Sequence, residues 1–426
     1  MSEGHSPTTT IAMFGWGDRF EDYHDRIGVS LETFRDELTG GWLFNYVEAL
    51  AGARVQTVLF FFSARVDTIT RFRHVATGVP VCVFPTPRAH RKLRNARLRY
   101  RPESRALTTL ATWVATPLRA LATELRRESC AALLCQEYEF GRFDALVGLG
   151  RAMRLPVFAT YQGADSRVSA IETPVRHVTM RSARGLVIAS AEEAERVRST
   201  YGVAPSKIAR IPNPVDVMRW RPADRAEARR RLGLPTSATI VEWHGNVQMH
   251  RKGLDVLLDA WYALCARRPK DALLLLLVGS GRDSEQLRHR IAGHPQVRWL
   301  DRYLHDRSFL WDHLSAADIY ALPSRHEGFA VAAVEAMACG LPVVASDVSG
   351  VREIVGEGHS AGGIVVPPED CEALADSLGL LVADLGLARR LGANARRRAE
   401  ETFSFEVVGE ELKDFLLGRG EEAVGQ

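Results

Sequence analysis

Two acidic residues, Glu327 and Glu335, stand eight apart in Ser324–Asp347, SRHEGFAVAAVEAMACGLPVVASD. An unpaired buried carboxylate is costly, so an acid inside the apolar run VAAVEAMA needs donors, and the hydroxyl groups of a sugar would supply them to both glutamates. The preceding run Asp318–Leu322 is short, apolar and β-prone, and it ends at Pro323. Ala330–Cys339 is rich in helix formers, with Gly340 as its C-cap and Pro342 just beyond. Pro342–Ser346 reads as the next strand. Glu327 is therefore expected in the loop between a strand end and a helix N-terminus, and Glu335 about one and a half turns into the helix. In an open parallel sheet, ligands collect at that level, outside the carboxyl ends of the strands. Taken alone, the two glutamates read more simply as a solvated helix face and a loop acid.

A second stretch has anion chemistry. Gly245-Asn-Val-Gln-Met-His-Arg-Lys252-Gly253 follows one β-like run and precedes the amphipathic stretch Leu254–Arg267. A glycine-containing loop at a helix N-terminus offers backbone N–H groups and a positive dipole end to a phosphate, and Lys252 adds a full charge. Arg251 and Lys252 are also ordinary residues for a solvated loop. Gly279-Ser-Gly281, after the apolar ALLLLLV, is a turn where the backbone can come close to a ligand, although an isolated GxG is usually only a turn. Thr160-Tyr161-Gln162-Gly163-Ala164-Asp165 follows another strand. Gln162 can hydrogen-bond a hydroxyl but cannot titrate, so it is no general base. Asp165 is a further contact candidate or else a turn acid.

The elements that must position these groups alternate along the whole chain. In the first half, Ile11–Trp16, Val55–Phe62, Val79–Phe84, Ala131–Cys135, Val157–Thr160 and Gly185–Ala189 are expected as strands. Asn45–Ala51, Leu107–Arg127, Phe143–Arg154 and Ala191–Tyr201 are expected as helices. The alternation pauses around Ile211–Asp216 and resumes with strands at Thr239–Trp243, Ala272–Val278, Val297–Leu300, Asp318–Leu322, Pro342–Ser346 and Gly363–Val366. Strands separated by helices imply βαβ units and parallel sheets covered on both faces. The 426 residues suit two domains, divided near Val215 into 1–215 and 216–403.

Composition narrows the function classes. Hydrophobic residues make up 46% and charged residues 25%, ordinary values for a folded chain, and the net charge of +3 gives no case for nucleic-acid binding. Six cysteines without CxxC spacing read as reduced core residues. No DxD triplet occurs, and the acidic pair Glu137 and Glu139 follows a strand of the first half without a supporting His or Cys ligand pattern, so no required metal is expected. The start of the chain lacks a leader pattern and no apolar run spans a bilayer, so a cytoplasmic protein is expected. Arg88–Arg105 holds eight Lys/Arg against one acid, with Leu93, Ala96 and Tyr100 at helical spacing. It is either a solvated basic helix or a peripheral contact with an anionic membrane or a phosphate-bearing acceptor.

The ordered string Pro323-Ser324, Glu327-Gly328-Phe329, Glu335-Ala336-Met337-Ala338, Gly340 and Pro342–Ser346 resembles the E-x7-E signature of retaining, nucleotide-sugar-dependent glycosyltransferases of group 1, or GT4. The resemblance is strongest over Gly185–Phe405, and IPNPVD resembles the family's interdomain segment. It implies an α/β GT-B fold, two Rossmann-like domains facing across a cleft, with a final helix near 404–418 packing back on the acceptor-binding first domain. It also implies roles. Glu335 would bind ribose, and Glu327 with the amides of Gly328 and Phe329 would bind the donor sugar. Lys252, with Gly245, Asn246 and Arg251, would hold the diphosphate, and Gly279 and Gly281 would face the nucleotide. Arg302 and Tyr303 fall where the base is held. Gly40-Gly41, before Trp42–Ala51, resembles the family's N-terminal glycine loop, here displaced by the long insert Gly17–Thr39.

The chain departs from the family at Pro214, which stands in the usual glycine place of the interdomain segment, and at two candidate site positions. Asn246 replaces an arginine after the loop's first glycine, and Gln162 stands where many relatives have a histidine. The expectation is a metal-independent hexosyltransferase with no cofactor and a UDP-sugar ahead of a GDP-sugar. It would serve a sugar, lipid-linked or small-molecule acceptor. A phosphorylase or synthase of the same fold, or a catalytically silent sugar-nucleotide-binding module, are the alternatives.

Overall fold

A computed structural model describes residues 9–100, 104–163, 169–302 and 307–418, so Asp165 and Tyr303 lie outside the described residues. The chain divides into two compact units, Met1–Pro212 with Val408–Gln426, and Asn213–Val407.

Among the described residues, the first unit is built on eight strands: β1 (Thr10–Phe14), β2 (Gln56–Ser63), β3 (Thr70–Arg73), β4 (Pro80–Pro85), β5 (Cys130–Cys135), β6 (Val157–Thr160), β7 (Gly185–Val187) and β8 (Ile208–Ala209). Their order is β3-β4-β2-β1-β5-β6-β7-β8, and only β3 runs antiparallel to its neighbour. Every residue of β2 beyond Gln56 is buried, because helices cover both faces of the sheet. β3 and β8 were not expected; TRFR is a mostly polar edge and β8 has two residues, so neither carries a buried-strand pattern.

The expected single helix Leu107–Arg127 is two, Arg105–Trp113 and Leu118–Arg127. Pro117 explains the correction: it has no N–H to give a continuing helix and disfavours helical geometry in Thr116. The insert after β1 folds into short helices, Glu21–His24, Asp25–Ile27 and Leu31–Asp36, and packed rings fasten it down. Phe20 lies 3.9 Å from the His24 ring, and Phe34 and Phe61 meet both rings edge-on. The basic segment forms the helix Arg88–Tyr100, anchored by Arg94 to Asp22 at 3.0 Å and by Arg97 to Thr108 at 2.9 Å. Arg88, Arg91, Lys92, Leu98 and Arg99 are exposed on it. The closing helix Phe405–Leu417 packs in this unit from Val408 on, and Gly409 permits its approach, since a Cβ there would sit 2.3 Å from the Ala49 carbonyl.

Among the described residues, the second unit has six parallel strands: β9 (Thr239–His244), β10 (Leu273–Val278), β11 (Val297–Leu300), β12 (Ile319–Leu322), β13 (Val343–Ser346) and β14 (Gly363–Val366), ordered β11-β10-β9-β12-β13-β14. All fall within a residue of the expected runs. LLLLLV is buried throughout because β10 is internal and covered on both faces. The strand order reverses between β9 and β12, which makes the space above their carboxyl ends the switch point of this sheet. The described cysteines are free, four of them buried.

Candidate active site

The carboxyl ends of β9, β10 and β12 in the second unit bring three loops together. Gly253 makes the first junction: its φ is +62° and a Cβ would lie 1.9 Å from the Pro323 carbonyl. Only glycine fits there without strain, so the loop Gly245–Gly253 packs backbone to backbone on the loop carrying Glu327. Gly279 makes the second, at φ +133°, where a Cβ would meet the Gly245 carbonyl at 1.9 Å. The Asn246 Oδ1 accepts from Gln248 at 3.2 Å and lies against Gly281, where a Cβ would be 2.7 Å from it. These glycines therefore have a packing role before any ligand is considered.

Glu327 is 6% exposed. The Lys252 ammonium donates to both its oxygens, at 2.8 and 3.0 Å, and the Ser324 hydroxyl donates at 2.6 Å. Burial alone would raise this carboxyl, but Lys252, Ser324 and Arg251 outweigh it and hold it below the ordinary value. Arg325 fixes the loop around it. Its guanidinium forks onto Asp255 at 2.7 and 2.8 Å, reaches Glu369 at 2.9 Å and donates to the His250 carbonyl at 2.8 Å. Gly328 is buried and Phe329 is half-buried, its ring 5.8 Å from Phe403.

Glu335 projects from the helix Val331–Ala338, which Gly340 closes at φ +80°. Its Oε2 lies 3.3 Å from His244 Nε2, while His244 Nδ1 lies 3.3 Å from the Glu242 carboxylate. Glu242 and His244 alternate along β9, so both point to the face on which this helix packs. Burial would drive His244 toward neutrality; Glu242 and Glu335 outweigh it and push the ring up to about 10. Glu242, His244, Arg325 and Asp255 were not foreseen. A charged pair at i, i+2 inside a buried strand was the available signal for the first two.

Arg302 follows β11 and is exposed, its guanidinium 5.7 Å from the Phe309 ring centre. Among the described residues, no group of three or more His, Cys, Asp or Glu side chains is arranged to hold a metal ion.

In the first unit, Gly40 and Gly41, both at φ +80°, lead into the helix Trp42–Gly52. The Gln162 amide donates to Thr160 at 3.0 Å and Gln136 at 3.4 Å, and its backbone N–H donates to Glu137 at 3.1 Å. Gln162 also hydrogen-bonds the buried Tyr46. It is thus held in a side-chain network at the ends of β5 and β6. Glu139 pairs with Arg196 at 2.6 Å and Arg176 at 3.6 Å.

The family model described as Glycosyl transferases group 1 matches residues 238–384, and that of Glycosyltransferase Family 4 matches residues 72–219. D-inositol 3-phosphate glycosyltransferase of Rhodococcus jostii (strain RHA1) is 36% identical over 235 residues, 53% of this chain and 51% of that protein. The chain spans about half the length of the curated relatives it matches. Two solved structures share the fold. Sucrose-phosphate synthase from Thermosynechococcus elongatus has TM-score 0.69 and 22% identity, covering 95% of this chain and 98% of that one. Anabaena HepE in complex with UDP has TM-score 0.70 and 17% identity, covering 96% and 100%.

Proposed function

Because the chain belongs to the group 1, family 4 glycosyltransferases of GT-B fold, we propose that it moves a sugar from a nucleotide-sugar donor to an acceptor hydroxyl, with retention at the anomeric carbon and without a metal ion. The observation that carries this reading is the meeting of Glu327, Lys252 and Glu335 with the Gly245–Gly253 loop at one switch point.

Glu335 accepts hydrogen bonds from the ribose hydroxyls. Glu327 and the amides of Gly328 and Phe329 hold hydroxyls of the donor sugar. The diphosphate lies on the Gly245–Gly253 loop, where Lys252 and Arg251 meet the charge that grows as the bond from the anomeric carbon to the phosphate oxygen breaks. The acceptor oxygen bonds to that carbon on the same face and gives its proton to the leaving phosphate oxygen. No titrating side chain is then needed at Gln162.

UDP is the proposed nucleotide, and the name of the R. jostii relative puts inositol phosphate first among acceptors to try. Ligands that bind only the folded state raise the melting temperature by mass action, so a thermal-shift screen of UDP-, GDP- and ADP-sugars tests the donor site. Stabilisation by at least one is expected; stabilisation by none counts against the proposal. The exposed cations of the helix Arg88–Tyr100 are proposed to rest on anionic lipid at the cytoplasmic membrane face. Co-sedimentation with phosphatidylglycerol vesicles but not with phosphatidylcholine vesicles is expected, and equal recovery with both rejects the contact.

A further inference from the structure

His244 occupies a place that the nucleotide site does not require for contact, yet it joins that site to the sheet beneath. It is the last residue of β9, immediately before Gly245, and is 8% exposed; Glu242 is fully buried and Glu335 is 8% exposed. One ring nitrogen faces each carboxylate at 3.3 Å. A neutral imidazole donates from only one nitrogen, so with both glutamates ionised the two contacts are satisfied together only by the imidazolium. The ring is wedged as well: Tyr320 lies 5.3 Å from it, and the Tyr320 hydroxyl donates to the His244 carbonyl at 3.4 Å.

This arrangement leaves two carboxylates and one cation, a net single negative charge. Glu242 lies deepest and is closed off by the sheet. Glu242 Oε1 has no hydrogen-bond partner there among the described residues, and the acceptor capacity a ligand can reach is on Glu335, whose Oε2 is held by His244. Without the ring, two buried glutamates on neighbouring elements would repel one another, and one would take up a proton. A protonated or rotated Glu335 presents a poorer pair of acceptors to a vicinal diol.

We propose that His244 is a positioning residue of the nucleotide site, bridging Glu242 to Glu335 so that the Glu335 carboxylate is aimed at the two ribose hydroxyls. The inference rests on the reading of Glu335 as the ribose acceptor. Its function is selectivity for a ribose over a deoxyribose, exerted through a residue that does not touch the ligand.

The test is calorimetric binding of UDP and GDP, and of the 2′,3′-dideoxy form of whichever binds tighter, to the full chain and to His244→Gln, Glu242→Gln and Glu335→Gln. Wild type should prefer the ribonucleotide by roughly tenfold or more, as expected for loss of a charge-assisted pair of hydrogen bonds. His244→Gln should lose most of that preference while keeping its affinity for the dideoxy form, and Glu242→Gln should shift in the same direction. A merely structural histidine would weaken both ligands equally. If Glu335→Gln abolishes the preference and His244→Gln retains it, the positioning role is wrong and the ribose reading stands. If wild type shows no preference, or Glu335→Gln leaves it intact, the ribose reading itself fails. Amide hydrogen exchange on Val331–Ala338 checks that the variants are folded, and a fully exchanging helix in both His244 and Glu242 variants overturns the proposal in favour of a core role.

Discussion

Lys252 and Glu327, 75 residues apart, form a two-pronged ion pair in which one ammonium donates to both carboxylate oxygens at 2.8 and 3.0 Å. The pair joins the loop Gly245–Gly253 to the loop that carries Glu327. It also holds a nearly buried carboxylate ionised.

That pair makes the acid side of the pH profile depend on Lys252. Glu327 now titrates below the ordinary value because Lys252 and its neighbours outweigh burial. In Lys252→Met, burial dominates and the carboxyl takes up a proton at higher pH. Donor turnover measured from pH 4 to 9 should fall overall in this variant, and its acidic limb should move to higher pH. An unmoved limb would show that Glu327 does not need the ammonium.

Gly253 tests the packing beneath the pair. At φ +62°, with a Cβ only 1.9 Å from the Pro323 carbonyl, Gly253→Ala must strain the backbone and part the two loops. The strain alone costs on the order of 1–3 kcal/mol. Urea unfolding followed by Trp fluorescence should show that loss in the second unit, with weakened binding of nucleoside diphosphate. An unaffected variant would mean that the loops do not depend on this contact.

Asp18 offers a pH-dependent prediction in the first unit. Burial raises its carboxyl from 3.8 to about 6, and the field of Arg142 offsets this only in part. Between those values the folded state keeps a proton that the unfolded chain has released. Stability therefore falls as pH rises through this window, and the full cost of the buried charge is present above it. Asp18→Asn should be more stable than wild type at pH 8 by on the order of 2–3 kcal/mol, with the difference gone at pH 3.5. Equal stability at both pH values would refute the assignment.

The strands of the second unit were legible because long apolar runs such as LLLLLV have one physical solution in an α/β protein, burial between two helical layers. The loop positions of Glu327 and Lys252 followed from the same alternation. Other features turn on partners remote in the chain. Glu242 and His244 carry no visible role until Glu335, 91 residues beyond His244, is set beside them. Gln162 read as a single ligand candidate, whereas Thr160, Gln136 and Tyr46 share its hydrogen bonds. The split at Pro117 was visible in the residues themselves, but the helical pattern on both sides masked it.

The most direct measurement of the central claim is nucleotide release from UDP-, GDP- and ADP-sugars by wild type and by Glu327→Gln, with binding of the nucleotide followed in parallel. The account predicts release from at least one donor by wild type. It predicts a loss of roughly 10²-fold or more in the variant, the scale for removing one preorganised electrostatic contact, with nucleotide affinity kept. No release from any donor, or equal release by the two proteins, would contradict it.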